Sequence, residues 1–166
     1  MKKLNLDQLK LGQEGITPII AAFLVEATIF CLMENGHSSG VILKIEGDYE
    51  EQVKITWTGE LTSQMRSSWN DKREVTEYGA TAVAALLISA LTNFEILSRA
   101  EQGEGIDYYL GNSETMEVEG FLEVSGIWKE NTDNTLKVRI NRKVKRLNNI
   151  QNAHTVYIIV TEFGEP

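Results

Sequence analysis

A long and almost uniformly apolar segment, Thr76–Leu91, constrains the fold of this chain most. Its sequence, TEYGATAVAALLISAL, is small or aliphatic nearly all round. A helix that is apolar on every side has no face for solvent and therefore belongs in a core. We predict a buried helix over this segment, capped by Thr76 and ended by Thr92-Asn93.

A second apolar segment, Ile16–Met33, is long enough to be compared with a membrane span. Glu26 at its middle would cost about 2.5–3.5 kcal/mol in a bilayer, which favours a buried core helix instead. Thr17 is a typical helix cap, Pro18 suits the first helical position, and Asn35-Gly36 is a typical stop. We therefore predict a core helix and no membrane association.

The remaining segments are assigned from apolar periodicity and turn residues. They are a strand or extended lead-in at Lys3–Leu11, a β-hairpin of Val41–Glu46 and Gln52–Thr58, a short helix at Thr62–Trp69, a charged connector at Asn70–Val75, strands at Phe94–Ser98, Ile106–Leu110 and Gly120–Ile127, a basic helix at Leu136–Leu147, and a strand at Thr155–Phe163. This order predicts an α/β (α+β) fold with a mixed central sheet flanked by helices. We predict a single domain over 1–166, in which 1–72 form an N-terminal helix and hairpin elaboration and 73–166 form the core.

The charge of the chain is uneven. The net charge is −8, which argues against general attraction to nucleic acids or anionic membranes. Residues 129–146, however, hold seven lysines and arginines and two acids, a net charge of +5, so that the rest of the chain carries −13. This basic segment is either a local anion-binding face, through which nucleic acid could bind, or a solvated helix face that balances an acidic neighbour.

The cysteine and histidine content points to a reducing compartment and to no zinc site. Cys31 is the only cysteine, so an intramolecular disulfide is excluded, and the thiol lies in a predicted core helix without a histidine nearby. His37 and His154 lack the spacing of zinc ligands. Met1–Leu11 lacks the apolar run of a signal peptide. We expect a cytoplasmic protein.

Two acidic residues interrupt adjacent predicted strands. In Gly120–Ile127 the alternation places Glu123 on one face with apolar and small residues, and in Ile106–Leu110 it places Asp107 beside a tyrosine. If the two strands pair, both carboxylates can face the same side, close enough to share a divalent cation. This is the one constellation in the sequence that suggests chemistry.

The order of one helix, three strands, one helix and one strand, with Asp107 in the second strand and Glu123 in the third, resembles the PD-(D/E)xK restriction-endonuclease-like superfamily. The resemblance covers roughly residues 73–163. The phrases GEGIDYYLG and LEVSGI, ahead of a basic helix and a YIIVTEF strand, also resemble a group of small uncharacterised bacterial proteins.

The resemblance implies a restriction-endonuclease-like core, αβββαβ, and roles for several residues. Asp107 and Glu123 would bind Mg²⁺ together with the Val124 carbonyl, since such ions prefer oxygen ligands. Glu77 would match the acid that such nucleases often carry on the first core helix. The lysine expected two residues after the glutamate is Ser125 here. A lysine from the following helix would have to replace it: Lys143, with Lys137 as the other candidate.

Each acid also has a structural interpretation. Asp107 can close a turn through backbone hydrogen bonds. A buried Glu123 needs a partner, which Lys143 or Arg139 can supply as an ion pair. Glu77 can be a first-turn acid that the helix dipole favours.

Two functions follow from these interpretations. The first is a non-catalytic or degenerate nuclease-like interaction module, which would bind a protein partner or another copy of itself, for example as an accessory subunit of a bacterial mobile-element or defence system. Its support is Ser125 at the lysine position and the acidic hairpin, whose edge is available for docking. The alternative is a Mg²⁺-dependent nuclease that cleaves DNA or RNA through Asp107 and Glu123. A small-molecule or nucleotide binder has no feature of its own in the sequence.

Overall fold

A computed structural model of the protein describes residues 1–147 and 154–165. Within these residues the elements in chain order are β1 (Lys2–Asn5), α1 (Leu6–Leu9), α2 (Pro18–Glu34), β2 (Val41–Ile45), β3 (Glu51–Thr56), α3 (Ser63–Ser68), α4 (Lys72–Leu91), β4 (Glu95–Arg99), β5 (Tyr108–Gly111), β6 (Val118–Ile127), α5 (Leu136–Leu147) and β7 (Thr155–Glu162).

The strands form two mixed sheets. The first has the order β1-β3-β2, in which β2 and β3 are antiparallel and β1 runs parallel to β3. The second has the order β4-β5-β6-β7, with antiparallel pairs up to β6 and a parallel pair between β6 and β7. Helices flank these sheets, and the predicted α/β class is confirmed.

The core lies between α2, α4 and the sheets. Side chains from α2 and α4 form a continuous buried cluster with residues of both sheets. By length and composition α4 could cross a membrane, but 61% of its most apolar window is buried inside the protein. That burial is usual for the core helix of a soluble protein.

The start of α4 differs from the prediction. The segment Asn70–Val75 is not a connector, because α4 begins at Lys72 with Asp71 as its cap. The Asp71 carboxylate accepts hydrogen bonds from the amides of the next turn, which is what a cap residue does. Thr76 lies inside the helix and donates its hydroxyl to the Lys72 carbonyl. The charged first turn is helical and faces solvent.

The N-terminal segment also differs from the prediction. The extended conformation expected over Lys3–Leu11 ends at Asn5, whose side chain accepts a hydrogen bond from the Asp7 amide at 3.0 Å and starts the short helix α1. Leu6 and Leu9, three residues apart, are both buried as the helical spacing requires. The parallel pairing of β1 with the hairpin was not predicted.

Four predicted elements are confirmed with nearly the expected bounds. Thr17 caps α2 and Pro18 is its first residue. The hairpin pairs Val41 with Ile55, α3 follows the cap Thr62, and α5 spans the predicted residues.

Candidate functional site

The β5–β6 pair brings Asp107 near Glu123. Tyr108, the first residue of β5, pairs with Leu122, and the Asp107 amide donates to the Leu122 carbonyl at 2.9 Å. Asp107 lies one residue before the strand rather than inside it, and its carboxylate is close enough to act on Glu123 electrostatically.

Asp107 forms hydrogen bonds that connect the start of β5 to both neighbouring strands. Its carboxylate oxygen Oδ2 accepts a hydrogen bond from the Val124 amide at 2.7 Å, and its carbonyl accepts one from the Ala100 amide at 2.9 Å. These bonds correspond to the structural interpretation of Asp107.

Glu123 is buried, and its two carboxylate oxygens differ in their hydrogen-bond partners. Only 2% of the residue is exposed. Its oxygen Oε1 accepts hydrogen bonds from both the Lys143 ammonium and the Arg146 guanidinium, whereas its oxygen Oε2 is buried and has no hydrogen-bond partner among residues 1–147 and 154–165. A buried carboxylate oxygen without a partner has lost its hydration without replacement, so this half of the group costs stability.

The pKa of the Glu123 carboxyl is raised above its ordinary value. Burial is the main cause, because removal from water disfavours the charged form. The nearby Asp107 charge also raises the pKa, while Lys143 and Arg146 oppose the change.

Lys143 occupies the position that the metal hypothesis assigns to a cation. Its ammonium contacts Glu123 Oε1 and lies 3.3 Å from the Val124 carbonyl oxygen. Two of the three oxygens proposed as Mg²⁺ ligands are therefore bound to a side chain of the protein itself. In this arrangement the residues do not fit a divalent cation, because the ammonium and the ion would compete for the same oxygens.

Ser125 and Glu77 belong to a second cluster beside the first. The Ser125 hydroxyl donates to Glu77 Oε1 at 3.3 Å and accepts a hydrogen bond from Arg139 at 3.1 Å. Glu77 Oε2 accepts the Gly126 amide at 3.2 Å, and the Arg139 guanidinium lies 3.8 Å from Glu77 Oε1. Asn134 accepts two further hydrogen bonds from Arg139. Glu77 is thus tied to the end of β6 and not to the Asp107–Glu123 pair.

Arg146 is the residue of this site that the sequence analysis did not single out. It follows Arg139 and Lys143 at positions i, i+4 and i+7 of α5, and such positions lie on one face of a helix. That spacing was the available signal. Lys137, the other lysine candidate, is exposed and makes no contact with Glu123 among the described residues.

The buried carboxyl predicts a pH dependence of stability. Because the pKa of Glu123 is raised, the folded protein keeps this proton to a higher pH than the unfolded chain does. The free energy of unfolding of the wild type, minus that of Glu123→Gln, should fall as the pH rises from about 4.5 through the raised pKa, and should then level off. Urea unfolding of both proteins across this range measures the difference. A difference that increases with pH would mean that Lys143 and Arg146 outweigh burial.

Other chemical groups in the described part of the chain form no further site. No cluster of three or more histidine, cysteine or acidic side chains positioned to hold a metal ion occurs there. Cys31 is buried and burial raises the pKa of its thiol to about 12, so it is an inert core residue as predicted.

Comparison with protein-family models, with curated proteins and with solved structures finds no match for this chain. The resemblance to the PD-(D/E)xK superfamily therefore stays a prediction.

Proposed function

We propose that the protein is a non-catalytic interaction module built on a nuclease-like framework, in which side chains of α5 neutralise the acidic pair. The observation that carries this proposal is the Lys143 ammonium, which binds Glu123 Oε1 and approaches the Val124 carbonyl at 3.3 Å. A cation that is part of the protein competes at these two oxygens with a metal that would activate water.

The surroundings of Ser125 support the same proposal. A nuclease of the resembled type needs a positive charge next to its metal ligands, and Ser125 has none. Its hydroxyl is held between Arg139 and Glu77 as part of a structural cluster. The lysine that α5 supplies instead binds the ligand oxygens themselves.

The charge distribution favours a protein partner over nucleic acid. The net charge of −8 opposes a general attraction to phosphate backbones. Three cations of α5 contact Glu123, Glu77 or Ser125, which leaves fewer of them for an external anion. We place this module in the cytoplasm, where the buried free thiol of Cys31 is stable, and an accessory role in a bacterial mobile-element or defence system is compatible with it.

A Mg²⁺-dependent nuclease is the second candidate. The observation that favours it is Glu123 Oε2, a buried carboxylate oxygen with no partner in the described part of the chain and with the Asp107 carboxylate nearby. For this function Lys143 would have to leave the two oxygens that it contacts.

Metal binding separates the two candidates. We expect no Mn²⁺ binding to the wild type in a calorimetric titration, and binding at least about tenfold tighter in Lys143→Met, because one adjacent positive charge is worth more than the about 1.4 kcal/mol of a tenfold change. Lys145→Met is the matched control, since Lys145 is on the same helix but exposed. Lys143→Gln removes the charge while retaining a hydrogen-bond donor and serves as a second variant.

The outcome for the wild type decides between the functions. Mn²⁺ binding by the wild type that is lost in both Asp107→Ala and Glu123→Ala would contradict the non-catalytic proposal and support the nuclease. If Lys143→Met and Lys143→Gln both fold and bind no more metal than the wild type, the idea that Lys143 takes the place of a cation is wrong.

A further inference from the structure

An open cleft lies where the end of α4, the strands β6 and β7 and the loop of the β2–β3 hairpin meet. Its volume is about 500 Å³, which is within the range typical of small-molecule sites. Three aromatic and three polar side chains contribute to its lining: Tyr49, Phe94 and Tyr157, and Asn93, Asn112 and Glu119. None of the described lining residues belongs to the acidic pair or to α5, so the cleft is separate from the site described above.

The aromatic residues of the cleft form one cluster, although they come from distant parts of the chain. The ring centroids of Phe94 and Tyr157 are 6.2 Å apart, in an edge-to-face arrangement. Gly120 on β6 has no side chain to separate them, and an added Cβ there would lie 3.8 Å from Tyr157 Cε2. The pKa of the Tyr157 hydroxyl is raised above its ordinary value, first by burial and then by the nearby Tyr49. The cleft therefore presents three rings to a ligand.

The electrostatics of the cleft favour a cation. Glu119 is the only charged residue among the described residues that line it. The helix α4 ends at Leu91 beside the cleft, and the carbonyl groups at the end of a helix carry partial negative charge. The Ala90 carbonyl in this last turn already accepts a hydrogen bond from the Lys2 ammonium. An anionic ligand would therefore be disfavoured at this place.

We propose that this cleft binds a small quaternary ammonium ion that carries a hydroxyl group. Aromatic rings attract cations over their faces, and clusters of such rings recognise quaternary ammonium groups. A methylated ammonium has no N–H groups that need acceptors, so aromatic rings and the single carboxylate of Glu119 are sufficient. The side-chain amides of Asn93 and Asn112 can form hydrogen bonds with the hydroxyl group of the ligand. The inference is independent of the function proposed for the acidic pair.

Titration of the isotope-labelled full chain with choline, followed by NMR, tests this proposal. We expect choline at millimolar concentrations to shift the amide signals of Thr92, Asn112 and Glu119, which line the cleft. The neutral analogue of choline, in which a carbon atom replaces the nitrogen, has the same shape without the charge. It should bind at least about tenfold more weakly, because it lacks the charge that the rings and the carboxylate attract.

Two variants locate the binding site. Tyr49→Leu removes a ring and retains an apolar side chain, and Glu119→Gln removes the charge at nearly constant shape. Both residues are exposed, so neither change should prevent folding, and each should weaken choline binding by about two- to fivefold. Glu117→Gln is the matched control, since Glu117 is an exposed acid two residues before Glu119 and is not among the lining residues.

Several results would overturn the proposal. They are a wild type whose signals choline does not shift, shifts confined to residues away from the cleft, and a neutral analogue that binds as tightly as choline. Folded Tyr49→Leu and Glu119→Gln variants that both bind choline as tightly as Glu117→Gln would also overturn it.

Discussion

Replacement of Glu123 by methionine is expected to lower the free energy of unfolding by about 3–5 kcal/mol at neutral pH, because it leaves the Lys143 ammonium in a largely buried position without its carboxylate. Methionine has nearly the same length as glutamate, so the loss of charge is the main change. The Val124 carbonyl alone cannot replace a carboxylate as the partner of an ammonium group. Chemical denaturation of the wild type and the variant gives the difference.

The double variant Glu123→Met with Lys143→Met should regain most of this loss. Removal of both members of a buried ion pair also removes the desolvation penalty of both, and such replacements are often neutral or stabilising. The partnerless Oε2 of Glu123 makes the wild-type pair costly in the same way. A double variant that is as unstable as the sum of the two single variants would show that the two side chains do not act as a pair.

Replacement of Gly126 by alanine is expected to destabilise the protein by about 3 kcal/mol, at the upper end of overpacking costs. An added Cβ would lie 2.4 Å from the Thr76 carbonyl oxygen and 2.5 Å from its methyl group. The carbonyl belongs to the backbone of α4 and cannot rotate away, so α4 and β6 would have to separate. Separation would also stretch the hydrogen bonds that the Ser125 hydroxyl and the Gly126 amide donate to the Glu77 carboxylate.

The melting temperature is the simplest measurement for Gly126→Ala. A decrease of about 6–12 °C corresponds to the expected loss for a chain of this length. Gly120→Ala is the matched control on the same strand, because its added Cβ would meet nothing closer than the Thr155 carbonyl oxygen at 3.2 Å. A Gly126→Ala protein as stable as Gly120→Ala would contradict the close contact between α4 and β6.

The sequence best predicts those elements whose ends are marked by a few adjacent residues. Thr17, Pro18 and Asn35 act within one helical turn of each end of α2, so no tertiary information is needed to place it. The first turn of α4 was missed because charged residues fit a solvated helix turn as well as a connector. Asp71, a cap residue, was the better signal.

The spacing of apolar residues in a short segment does not distinguish a strand from a helix. Leu4, Leu6, Leu9 and Leu11 are compatible with an extended segment, whereas the pair Leu6 and Leu9 is also compatible with one helical turn, and the structure has the helix. The pairing of β1 with β3 could not be predicted. β1 has only four residues, and their sequence does not specify a partner that lies far away along the chain.

The proximity of the two acids could be predicted from the order of the strands, but their partners could not. The meander order brings Asp107 near Glu123, whereas Asp107 precedes β5 and its carboxylate binds the Val124 amide, which strand alternation does not predict. The sequence leaves Lys143 and Arg139 as alternatives for Glu123, whereas in the structure Lys143 and Arg146 bind it. The choice depends on the rotation and height of α5 above the sheet, which the docking of the whole helix determines.

The parallel pairing of β1 with β3 has a consequence for the order in which the chain folds during synthesis. Lys2 is synthesised well before its partner Val53, which is made only after α2 and the first strand of the hairpin. The amino-terminal strand must therefore wait for the hairpin and can add to it only once β3 is present. Contacts between distant parts of a chain form slowly because a long loop has to close. A strand that is synthesised before its neighbours is thus among the last to acquire its native partners.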